Sequence, residues 1–94
     1  MLIMKQDFSI RYSDMIAVEL LDTLPSMRKT NGLGNSVVRI GAFNSEEVGG
    51  DFRAYIRITE PQHLVIHTDL MTYVVTPDGA ESVFEAIQAD IAGR

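Results

Sequence analysis

The sequence predicts a mostly β domain closed by a single C-terminal amphipathic helix, and two changes of pattern carry that prediction. In Phe52-Arg53-Ala54-Tyr55-Ile56-Arg57-Ile58, apolar residues alternate with Arg53, Tyr55 and Arg57. Successive strand side chains point to opposite faces, so this pattern buries one face and turns Tyr55 outward. After Thr76-Pro77-Asp78 the period lengthens. Ala80, Val83, Phe84, Ile87 and Ile91 recur at spacings of three and four, as one apolar stripe of a helix does.

Size and composition fit one domain spanning residues 1–94. The chain has 94 residues, 46% hydrophobic and 22% charged, which suits a folded chain and leaves room for one core. It has no cysteine, which removes disulfides, thiolate catalysis and cysteine-based zinc sites and fits a reducing cytoplasm. Eight basic against thirteen acidic residues give a net charge of −5, which disfavours nucleic-acid phosphates and anionic membrane surfaces. Runs such as Met15-Ile16-Ala17-Val18 fall far short of the ~20 apolar residues of a spanning helix. Met1-Leu2-Ile3-Met4-Lys5 does not read as a signal peptide.

Along the chain, Ser36 to Phe43 reads as a strand with Val38, Ile40 and Ala42 on one side. His63-Leu64-Val65-Ile66-His67-Thr68 and Met71-Thr72-Tyr73-Val74-Val75 read as two more, rich in β-branched residues, with Asp69-Leu70 as a tight hairpin turn between them. Residues 44–50 and 60–62 are connecting loops. The longest connection, Thr23 to Asn35, contains Gly32, Gly34 and two asparagines and reads as a loop that turns more than once. Thr76 or Asp78 is the expected helix cap, Pro77 suits the first turn, Gly93 is the expected stop, and Arg94 suits the C-terminal end of the helix dipole. The N-terminal third is ambiguous. The apolar residues from Met15 to Leu24 fit an amphipathic helix starting at Ser13 or Asp14, which propensity favours, and Met15 to Leu21 fits a buried strand following one from Phe8 to Tyr12.

Chemistry-bearing patterns are sparse, and the chain does not read as an enzyme. His63 and His67, four apart on a strand, could form a metal pair with Asp69 or Glu60, but two histidines fall short of the three or four protein ligands of a zinc site. They read instead as polar positions sharing an outer face with Val65. Glu46, Glu47 and Asp51 read as solvated loop charge. Ser9, Ser13, Ser26, Ser36, Ser45 and Ser82 have no Gly-x-Ser-x-Gly context. Gly32-Leu33-Gly34 lacks the Gly-Lys-Ser/Thr of a phosphate loop and reads as a turn. No cofactor or metal is expected.

Three segments together resemble the bacterial PH-like domain families. Phe8-Ser9-Ile10-Arg11-Tyr12-Ser13-Asp14-Met15-Ile16 is similar to their strand, turn and apolar pair opening the next strand. Thr30-Asn31-Gly32-Leu33-Gly34 leading to Arg39-Ile40-Gly41-Ala42-Phe43 resembles their glycine-rich turn and Gly-x-Phe strand end. Tyr73 to Phe84 resembles their last strand and closing helix. The resemblance implies a barrel of about seven antiparallel strands in two roughly orthogonal sheets, capped by the helix, with Phe84 and Ile87 buried. It also implies strand for the N-terminal third.

Two functions follow as expectations. The first is a non-enzymatic interaction module that binds a protein partner or a second copy through its strand edges. The second, suggested by basic residues of PH relatives, is anionic-ligand or membrane-surface binding at Arg28, Lys29 and Arg39, with Arg53 and Arg57 wetting a strand face.

Overall fold

The computed structural model describes residues 1–5, 8–34 and 37–94. Asn35 and Ser36, at the end of the expected loop and the start of the strand after it, lie outside these. The chain forms β1 (Leu2–Lys5), β2 (Phe8–Ile10), a 3-10 turn (Tyr12–Asp14), β3 (Met15–Leu21), β4 (Arg28–Gly34), β5 (Val38–Ser45), β6 (Gly50–Arg57), β7 (His63–Thr68), β8 (Thr72–Val75) and α1 (Ala80–Ala92). The first two strands make a small antiparallel sheet. The other six form one sheet in the order β3-β7-β8-β6-β5-β4.

The centre of that sheet is apolar on both faces. Neighbouring residues of β7 and β8 go to different cores: Leu64, Ile66 and Val75 pack with Met15, Val18 and Ile87, whereas Val65 and Val74 pack with Phe43, Phe52, Ala54 and Ile56. Helix α1 and the β1–β2 sheet cover the first face, supplying Ile87, Leu2, Phe8 and Ile10. The second face is covered by the curl of the sheet and by the loop after β3. Leu21 ends β3 and Met27 precedes β4, yet both pack on the Phe43–Phe52 cluster. In a flat six-stranded sheet the edge strands would lie about 24 Å apart. The seven virtual bonds from Leu21 to Arg28 reach at most about 25 Å when fully extended. A fully extended connection would only just span a flat sheet, and the packing of Leu21, from the β3 edge, on Phe43 and Phe52 of β5 and β6 shows that the sheet curls.

The expected barrel is not formed. The sheet stays open, because β3 and β4 are its two outermost strands and do not pair with each other. Among the described residues the strands number eight, and β8 lies parallel to β6. The physical reason is the two-sided apolar centre: a small closed barrel buries one inward face per strand, whereas β7 and β8 bury both and require a layer on each side. The helix accordingly does not plug a barrel end but lies against β3 and β7. Ile87 is buried there as expected, and Phe84 is only half-buried.

The N-terminal third is strand, the alternative that the resemblance implied, because Met15 and Val18 are needed beneath the helix and tertiary burial overrides helix propensity. Three other expectations change. Residues 28–34, expected to turn, form β4 against β5. Gly32 faces Gly41 there, and a Cβ on Gly41 would meet the Asn31 carbonyl oxygen at 2.5 Å with φ at +124°. Tyr55 is turned inward over the first core, its ring 5.6 Å from that of Phe8. The helix cap is Gly79 in the left-handed region, not Thr76 or Asp78, since both side chains are engaged elsewhere. The Asp69-Leu70 hairpin turn is present, with the Thr68 N–H donating to the Met71 carbonyl at 3.0 Å.

Truncating Ile87 to alanine is expected to lower stability by about 2–5 kcal/mol, measured by urea unfolding. Gly41→Ala is expected to cost about 1–3 kcal/mol through backbone strain alone, with more added by the contact to Asn31. A melting temperature equal to wild type would refute the second.

Candidate functional site

The chemistry-bearing side chains fall into three places. The first is a buried junction where β6, β7 and β8 approach the helix. Thr76, buried after β8, accepts the Arg57 backbone N–H on Oγ1 at 3.0 Å. The same oxygen lies 2.7 Å from Nδ1 of His63, which is 1% exposed. With the ring proton on Nε2, the threonine hydroxyl donates to Nδ1. The Arg57 guanidinium donates to the Asp78 carboxylate at 2.6 Å across the mouth of this junction. Burial pushes the His63 pKa below its ordinary value of 6.5, against the opposing pull of a backbone hydrogen bond with Glu60 and of the Glu60 charge. His63 is thus a satisfied core residue and not part of an outer face. His67 lies on the same side of β7, with Nε2 3.0 Å from a Glu19 carboxylate oxygen and Nδ1 3.3 Å from the Thr72 hydroxyl. Among the described residues, no group of three or more His, Asp and Glu could hold a metal ion.

The second place is the β4 edge. Arg28 pairs with Asn44 and Lys29 with Phe43, so the two adjacent cations point to opposite faces of the strand. Arg39 pairs with Gly34 and lies four residues from Phe43 on β5, about 14 Å along the strand. Its Nη1 donates to the Val38 carbonyl at 3.1 Å. The three expected binding residues therefore share a region of sheet without converging on one pocket. Arg28 instead lines a cleft with Glu46 and Glu47. Glu47 there accepts the Ser26 N–H at 3.0 Å, and nearby Asn44 donates at 2.8 Å to Asp51, which lies in β6 and not in the loop, so two of the three carboxylates have tethering roles.

The third place is the tip of the β7–β8 hairpin, where a concavity of about 630 Å³ opens beside Leu70. Leu70 is 94% exposed. Buried Ile10 and half-buried Tyr73 line the groove, together with exposed Met1 and the charged Arg11, Asp14 and Asp69. None of those three charges forms an ion pair with another described residue. Nearby, Ile16 is the extra residue where the β3–β7 register slips opposite Thr68, and it is 54% exposed. In the sequence, Asp69-Leu70 reads only as a turn. The available signal was the leucine itself, since hairpin tips favour Gly, Asn and Asp, and nothing local requires an apolar side chain there.

No family model, curated protein or solved structure matches the chain, so the family resemblance rests on the residues that suggested it. Among the described residues, no helix is long and apolar enough to cross a membrane.

The His63 environment sets a pH dependence with a definite sign. As pH falls below 6.5, the unfolded state takes up a proton at His63 before the folded state does. Stability contributed by the neutral buried ring is present above pH 6.5 and is lost as pH falls from there towards the depressed folded pKa. The melting temperature is expected to drop across that acid window in wild type and to drop less in His63→Gln. Parallel curves for the two proteins would exclude His63 as the cause.

Proposed function

We propose that this chain is a non-enzymatic interaction module that self-associates, working in a reducing, cytoplasmic setting. The single observation carrying the reading is the surface at the β7–β8 tip. An almost fully exposed leucine stands beside a groove of about 630 Å³, and charges of both signs ring it without ion-pair partners among the described residues. Apolar surface rimmed by polar groups is the composition of an interaction site. The absence of cysteine supports the setting.

The alternative, an anionic ligand or membrane surface at Arg28, Lys29 and Arg39, has less support. These cations are dispersed over two faces of the sheet in a chain of net charge −5, and Glu46 and Glu47 border Arg28. Anionic vesicles at low salt are expected to leave wild type and an Arg28→Ala/Lys29→Ala variant equally in the supernatant.

Sedimentation equilibrium from micromolar to millimolar protein tests self-association directly. The weight-average mass is expected to rise with concentration towards twice the monomer value. A constant monomer mass over the whole range would overturn the reading.

A further inference from the structure

Resting on that reading, the geometry points to a specific contact: a two-fold dimer in which Leu70 of each copy enters the hairpin-tip groove of the other. The knob and the groove lie on the same face, since Leu70 projects from the turn and also borders the groove. A surface holding both a protrusion and a matching recess is complementary to itself about a two-fold axis, the commonest symmetry of soluble oligomers. The groove, about 630 Å³, has ample room for a leucine side chain and the turn that carries it.

Charge selects a second copy as the occupant. Asp69 immediately precedes Leu70, so inserting Leu70 carries Asp69 to the groove rim of the other copy. Arg11 stands on that rim with Asp14 beside it, so the contact seats Asp69 against the guanidinium and away from the Asp14 carboxylate. The two-fold then forms the Arg11–Asp69 pairing twice, once on each side of the axis. Exposed Met1 and Ile16 extend the apolar part of the same region.

The sheet edges are less suited to a second copy. Pairing β4 with itself would place two Arg28 and two Lys29 side chains in one interface to which neither strand contributes an acidic residue. On β3, the ladder slips at Ile16, and the Arg94 guanidinium donates to the carbonyl of Met15, the first residue of the strand, and to that of Tyr12 in the turn before it, so one end of this edge is irregular and obstructed.

The test compares dimer dissociation constants by sedimentation for wild type, Leu70→Asp, Arg11→Glu, and the charge exchange Arg11→Glu/Asp69→Arg. Leu70→Asp is expected to weaken the dimer about tenfold or more without lowering the melting temperature of the monomer, because that side chain packs on nothing in it. Arg11→Glu should weaken it as well, and the exchange should restore affinity towards wild type. A dimer of unchanged strength in Leu70→Asp, or a charge exchange no better than Arg11→Glu alone, would overturn this contact while leaving self-association standing. A wild type that stays monomeric would overturn both.

Discussion

The architecture depends on the two-sided burial of β7 and β8. Val65 and Val74 face one core while their chain neighbours Leu64 and Val75 face the other, and all four are essentially inaccessible to solvent. A strand pair of this kind cannot leave either face wet without exposing several β-branched or leucine side chains, each worth roughly 1.5–3 kcal/mol when buried. The rest of the molecule supplies the two coverings. The β1–β2 sheet and the helix come from opposite ends of the described chain to one face, and the curled sheet with its β3–β4 crossing closes over the other.

The order of strands follows from the same constraint. β7 leaves one strand-width beside β6, and β8 returns through a two-residue turn to fill it, parallel to β6 and antiparallel to β7. The backbone continues directly into the junction of Thr76, His63 and Arg57. The Thr76 N–H donates to the Tyr55 carbonyl at 2.9 Å while its hydroxyl takes the Arg57 N–H. Polar groups that the inserted strand would otherwise strand in the interior are thereby paired.

Much of this was legible in the sequence, and the failures have identifiable causes. The alternation from Phe52 to Ile58 located β6, and the stripe through Ile87 located the helix, because each pattern reports burial of one face. The same reasoning misplaced Tyr55 and His63. It assumed one wet face, whereas Tyr55 is covered by Phe8 and His63 by the turn into the helix, contacts made by residues 47 and 13 positions away. β4 was hidden by its glycines, which mark a turn in most contexts but here permit close approach to Gly41 of the neighbouring strand. Barrel closure was inferred from a resemblance, and the sequence contained the counter-sign in the continuous apolar runs of β7 and β8. Of the basic residues, identity was readable but convergence was not, since the directions of Arg28 and Lys29 depend on strand register.

The first core joins Leu2 and Phe8 to Ile87 and Ile91, and Arg94 ties the last turn of the helix back to the backbone at Tyr12 and Met15. During synthesis, the sheet strands therefore emerge long before the helix that must lie on them. Met15, Leu64 and Ile66 have no complete cover until α1 has left the ribosome. A nascent chain arrested anywhere before α1 presents an apolar sheet face to its surroundings, and that face is covered only when the helix docks on it.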